Sequence, residues 1–204
     1  MYFTRTPGII RRLFSPELVW EIPNVEKQVF LTFDDGPHPE VTAEVLEILS
    51  SKDVPATFFC VGENVEKYPD TFREIKDHGH QTGNHTFNHL NGWKTETKDY
   101  LKNIAKCAEF IDSKLFRPPY GRIKNAQINA LKEKYKIIMW SVLSGDFDKN
   151  VSREACVKNV MKNTKSGSII VFHDSIKAKD NVLYALPRVI DGLKENDYTF
   201  GLIK

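Results

Sequence analysis

The sequence predicts an α/β fold, a single domain built as a distorted (β/α)7 barrel, and three observations carry this. Seven short β-rich runs alternate with longer segments of helical period, which implies parallel strands joined by right-handed crossovers. Four of the seven runs are almost continuously apolar, as strands covered on both faces should be. The turn after the first run reads Phe33-Asp34-Asp35-Gly36-Pro37. It carries two acids where an open doubly wound sheet would place a glycine-rich phosphate loop, and this favours the barrel.

The strands are expected, in order, at 27–33, 56–62, 80–84, 115–119, 136–142, 168–173 and 198–203, the third and fourth being the weakest by composition. Between them Val41, Val45, Leu46 and Leu49 repeat on one helical face. Leu101, Ile104, Cys107, Phe110 and Ile111 do so on a second, and Leu183, Leu186, Ile190 and Leu193 on a third. Asn64 and Ser152 read as helix N-caps and Gly79 as a stop just past a helix end.

A chain of 204 residues, 41% hydrophobic, can bury one sizeable core, and no repeat or Pro/Gly/Ser linker divides it. Residues 27–204 therefore read as one domain, and 1–26 as an N-terminal strap packed across the barrel end. Lysine and arginine number 29 against 27 aspartates and glutamates, too even a balance for a nucleic-acid footprint. Cys60, Cys107 and Cys156 lie too far apart for a C-x-x-C pair and read as buried, reduced thiols. No run approaches the ~20 apolar residues of a membrane helix. Arg11 and Arg12 interrupt the apolar start and no small-residue cleavage site follows. A signal peptide is thus not read, and the expected location is cytoplasmic, with a role at the cell envelope left open.

In parallel barrels the chemistry gathers at the C-terminal ends of the strands. Those positions hold Asp34 and Asp35, then His85 with His89 four residues on, then Arg117 through Tyr120, then Asp146, and last His173 and Asp174. Ionisable groups thus recur on one rim. On a helical turn, His85 and His89 would face one side, rising roughly 6 Å apart, which suits two imidazoles on one metal. A lone His-x-x-x-His also fits solvent or capping histidines, and the Asp pair at another strand end is what favours the metal. Two imidazoles and a carboxylate leave positions open for water and substrate, and they suit zinc, iron, cobalt or manganese.

Adjacent acids can open a helix, but the next helical pattern starts near Glu40, after two prolines, too late for either Asp to cap it. One acid can bind metal while its neighbour reaches the water. Arg117, before Pro-Pro-Tyr-Gly, reads as a surface residue flanking a turn or, favoured by its place at a strand end, as the partner of a carboxylate. His173 follows four apolar residues and reads as a core histidine or a site group; Asp146, after Ser-Gly, reads as a turn acid or a site group. Trp93, Tyr120 and Trp140 could stack on sugars or pack inside the barrel. His38, His78 and His80 carry no assigned role.

Taken together these pieces resemble the polysaccharide deacetylases with the NodB homology domain, carbohydrate esterase family 4. The matching motifs are Thr32 through Gly36, His85 through His89, Arg117-Pro-Pro-Tyr-Gly121, Trp140 through Asp146, and Val171-Phe-His173, in family order. The resemblance implies a distorted seven-stranded barrel, with 27–204 as the catalytic domain. It implies one divalent metal, usually zinc, on Asp35, His85 and His89. Asp34 then resembles the catalytic base and Arg117 the residue paired with it. Tyr120 resembles the residue whose backbone N–H faces the oxyanion, His173 the general acid, and Asp146 its orienting carboxylate. The implied activity is removal of N-acetyl groups from an acetylated oligo- or polysaccharide, peptidoglycan or chitin-like. An O-acetyl esterase is the alternative, and a non-catalytic carbohydrate-binding barrel a third. Three positions depart from the family pattern: Leu143, Phe147 and Val171.

Overall fold

The computed structural model describes residues 4, 15–23 and 25–203. Its first strand, β1 (Leu18–Val19), falls in the stretch expected to be a strap. β2 (Gln28–Asp34), α1 (Pro39–Ser51), β3 (Thr57–Cys60), α2 (Gly62–Lys67) and α3 (Pro69–Asp77) follow. Next come β4 (Gln81–Asn84), α4 (Thr97–Ala108), β5 (Leu115–Phe116) and α5 (Asn125–Leu131). The chain then runs through β6 (Lys136–Ile138), β7 (Val142–Leu143), α6 (Arg153–Asn163), β8 (Ile169–His173), α7 (Lys179–Glu195) and β9 (Thr199–Phe200).

The sheet order is β1-β6-β5-β4-β3-β2-β8-β7, with β9 also paired to β2. All of these pairings are parallel. The sheet curls into a distorted, incompletely closed β/α barrel within a single domain, as the resemblance implied.

The run 136–142, expected as one strand, is two. Up to Ile138 it pairs with β5 and β1; Met139 N–H then bonds Val19 O, and Ser141 N–H bonds Ile169 O, so the backbone changes partners across Trp140. β6 and β7 thus lie near opposite ends of the sheet although three residues separate them, and this segment is the barrel's seam. Below it, Glu21 bridges Ser168 and Ile22 N–H donates to Gly167 O, so residues 18–22 reach from β6 to the foot of β8. The rest of the 1–26 strap, apart from Thr4, Ser15 to Glu17, Pro23 and Val25 to Glu26, lies outside the described residues. Thr4 O accepts from Leu143 N–H.

Alternation along β2 sorts the layers, because successive side chains face opposite ways. Val29, Leu31 and Phe33 pack outward under the helices, with Phe33 stacked on Phe58 at 4.8 Å between ring centroids. Phe30, Thr32 and Asp34 face the interior, where Phe30 packs with Phe59, Leu115, Ile138 and Ile169. α7 buries Val182, Leu186, Val189, Ile190 and Leu193 against the outer layer. Burying each such side chain stabilises the fold by about 1.5–3 kcal/mol.

Caps behave as their chemistry requires. Ser152 Oγ accepts from Ala155 N–H at the start of α6, and Gly79 takes φ +76° just past α3. Asn64 is a correction: α2 begins at Gly62 with Val61 before it, so Asn64 lies inside the helix and its side chain is used elsewhere. The three cysteines are free and buried. Among the described residues no helix is long and apolar enough to cross a membrane.

Candidate active site

β2 and β8 lie side by side in a register that sets Asp34 opposite His173, so two ionisable groups meet at the strand ends. Arg117, just past β5, reaches across the barrel to Asp34. Its Nη1 donates to Asp34 Oδ1 at 2.7 Å and to Thr32 Oγ1 at 2.8 Å. Its Nε and Nη2 donate to the carbonyls of Ile138 and Met139, and its guanidinium lies 4.1 Å from the Phe59 ring centroid. Arg117 is fully buried. Burial works against its charge, and the facing Asp34 carboxylate opposes that loss. Because its partners span β2 and the seam, this one side chain also braces the two against each other.

Asp35 follows in a left-handed conformation, φ +77°, which an Asp tolerates better than most residues. His85 and His89 come to it from the segment after β4. No helix joins them, contrary to expectation: Thr86 and His89 both have positive φ, and the intervening backbone is held by side chains. Asn84 Oδ1 accepts from Thr86 N–H, Thr86 Oγ1 accepts from Leu90 N–H, and Asn103 Oδ1 accepts from Phe87 and Asn88. This tight turn does the converging that a helix would have done.

The Arg117 carbonyl accepts from His85 Nδ1 at 2.8 Å, which fixes the proton on Nδ1 and leaves Nε2 free to ligate. Asp35 Oδ1 lies 3.6 Å from His85 Nε2 and 3.1 Å from His89 Nε2. One ligand atom from each of the three lies within 4.8 Å of the others. One carboxylate oxygen and two imidazole nitrogens at that spacing fit a divalent cation. Burial disfavours an ionised Asp35, but the neighbouring His85, His89 and His173 side chains outweigh it and hold the carboxyl well below the usual range.

On the neighbouring strand end, Asp146 takes His173 with both oxygens: Oδ1 accepts from ring Nδ1 at 2.8 Å and Oδ2 from the backbone N–H at 2.7 Å. Ser144 Oγ donates to the same Oδ1, and Phe147 packs edge-on to the ring at 4.9 Å. Burial favours the neutral ring, yet Asp146, helped by Asp35 and Asp34, raises His173 to about 9. Asp146 is thus more than a turn acid, and His173 is no inert core histidine. Tyr120 sits at φ +60° in a 3-10 turn, 60% exposed, its ring edge-on to His89 at 4.7 Å.

All eight residues singled out in the sequence therefore meet at one mouth of the barrel. Trp140 packs over Gly121, where a Cβ would lie 2.7 Å from its ring, while Trp93 is exposed, with its Nε1–H on Ile123 O. Sequence reasoning gave no role in the site to Thr32, Thr42, Asn64, Ser144 or Asp174. Asp174, whose position directly after His173 was the one available signal, is 1% exposed, and burial pushes it up to about 7.

Comparison with known proteins follows the same line. The polysaccharide deacetylase model matches residues 21–136. A peptidoglycan-N-acetylglucosamine deacetylase of Bacillus cereus is 34% identical over 201 residues, covering 94% of each chain. The crystal structure of a peptidoglycan N-acetylglucosamine deacetylase superposes with a TM-score of 0.89 at 33% identity, covering 97% of this chain and 95% of that one. A CE4-family pseudoenzyme from Bacillus anthracis also superposes, with a TM-score of 0.80 at 28% identity, covering 93% of this chain and 68% of that one. The fold alone therefore does not guarantee turnover, and the site must be argued from its own residues. With the fold, the motifs and the near full-length match in agreement, the chain belongs to the polysaccharide deacetylase family, carbohydrate esterase family 4, hydrolases of carbon–nitrogen bonds other than peptide bonds.

Proposed function

We infer that the protein removes N-acetyl groups from N-acetylglucosamine residues of peptidoglycan, with zinc held by Asp35, His85 and His89. One observation carries this reading: a three-ligand cluster shares the strand ends with a carboxylate paired with Arg117 and an imidazole raised to about 9 by Asp146. That is a base and an acid beside a metal position. The relatives at 33–34% identity, themselves peptidoglycan deacetylases, supply the substrate class.

When bound, the cation supplies Lewis acidity to the attacking water and to the acetyl carbonyl. Asp34 takes the water's proton; Arg117 occupies its Oδ1, so Oδ2 is the oxygen left for that proton. The Tyr120 backbone N–H meets the oxyanion, a preorganised donor of the kind that lowers acyl-transfer barriers most. His173, protonated through neutral pH, gives its Nε2 proton to the departing amine, which cannot leave as an anion. Asp146 holds the ring by Nδ1 throughout. Acetate and a glucosamine residue result.

The test is acetate and free-amine release from peptidoglycan, chitin oligomers and O-acetylated xylan, with stripped and zinc-loaded protein. Zinc-dependent appearance of both products from peptidoglycan is expected. Acetate from the O-acetyl ester alone would make the protein an esterase, and release from no substrate would leave a glycan-binding barrel.

A further inference from the structure

We propose that Asp174, tied to Thr42, is a positioning residue that clamps the turn carrying the metal ligand Asp35. The proposal rests on the metal-binding reading above and concerns a residue outside that ligand set.

The turn from Asp35 to His38 includes a cis Gly36–Pro37 peptide and is gripped from several elements. Asn64 Nδ2 of α2 donates to Asp35 O at 2.7 Å, and Val61 N–H donates to Gly36 O at 2.9 Å. The remaining grip is Asp174. Its Oδ1 accepts from Gly36 N–H at 3.1 Å, and its Oδ2 accepts from Thr42 Oγ1 at 2.7 Å. That hydroxyl in turn accepts from His38 N–H at 2.8 Å. One carboxylate therefore holds the residue after the ligand directly and the residue three after it through a single hydroxyl.

The fit is close. A Cβ on Gly36 would lie 2.0 Å from Asp174 Oδ2, so the carboxylate fills the space that only a glycine leaves. Asp174 is itself fixed to β2, its N–H donating to Asp34 O at 3.2 Å, and it directly follows His173. Among the described residues no lysine or arginine pairs with it. A buried carboxylate without a cation is costly. A neutral side chain would fill the volume more cheaply, so what this position supplies is a strong double acceptor for two turn donors. Metal affinity depends on how well a ligand's support is held, and losing an outer partner typically weakens it about 10–100-fold.

Zinc binding is measured calorimetrically on the metal-stripped chain, alongside the thermal midpoint and the visible spectrum of the cobalt-loaded form. Asp174→Ala should bind zinc about 10–100-fold more weakly and shift the cobalt bands, because Asp35 loses its fixed approach. Asp174→Asn, which keeps an oxygen for Gly36 N–H, should recover part of the affinity. A folded Asp174→Ala that binds zinc within twofold of wild type, with unchanged cobalt bands, overturns the proposal and leaves Asp174 as filling. If Asp174→Ala does not fold, Thr42→Val removes only the hydroxyl tether, and the same two readings decide. Wild type that binds no zinc would overturn the metal reading itself, a result separate from any difference among the variants.

Discussion

At the scale of single residues, His173 should betray its partner through pH. A ring raised to about 9 in the folded chain, against ~6.5 unfolded, stabilises the fold fully below pH ~6.5 and loses that contribution as pH rises through 9. In metal-stripped protein the ring's NMR titration should therefore fall near 9. Asp146→Asn should move it down, shift the alkaline limb of the rate profile to lower pH and leave the acidic limb alone. An unmoved alkaline limb would mean that another group orients the ring. Arg117 makes the opposite kind of prediction, on stability. Arg117→Met strands the Asp34 carboxylate and leaves the Ile138 and Met139 carbonyls unbonded, so urea unfolding should show a loss of about 3–5 kcal/mol. Arg117→Lys should rescue little, since a point charge cannot reach four acceptors on two sides of the barrel. The individual site residues were legible because each sits at a strand end in the sequence. Asp174 was not assigned, because its work is done on backbone groups that a sequence does not display.

At the scale of elements, the turn after β4 matters most. Asn84 is fully buried, with Oδ1 on Thr86 N–H and Nδ2 on Ile104 O. Asn84→Ala orphans one buried donor and one buried acceptor, so a loss of about 1–3 kcal/mol is expected per unsatisfied group. Zinc affinity should fall too, since His85 and His89 lose the geometry that joins them; unchanged affinity in the folded variant would show that the turn keeps its shape without Asn84. The spacing of four suggested a helix here because helical period is the simplest way to align two side chains. The real solution, two left-handed residues pinned by side chains, leaves no periodic trace. The same limit hid the seam. Lys136 through Val142 reads as one strand by composition, and its break at Trp140 arises only because Val19 and Ile169, far away in sequence, compete for its backbone. By contrast β2, β3 and β8 were readable to within a residue or two, because burial on both faces writes itself as continuous apolar sequence.

For the whole molecule, the gathered Asp35, His85 and His89 tie cation binding to folding. Zinc at a hundred times its dissociation constant should add about 2.7 kcal/mol. In a domain of this size that raises the thermal midpoint by roughly 5–10 °C, read by calorimetry with and without chelator; His85→Ala should remain folded and lose the increment. The register of β2 with β8 has a further consequence, for the life of the chain before it is finished. Asp35, His85 and His89 follow β2 and β4 and leave the ribosome before β8, which carries His173, runs directly into Asp174 and must insert between β2 and β7. Pairings that distant in sequence are the slow ones to form. On the roles proposed above, a nascent chain stalled before residue 168 lacks both residues and should release no acetate, whatever metal it has gathered.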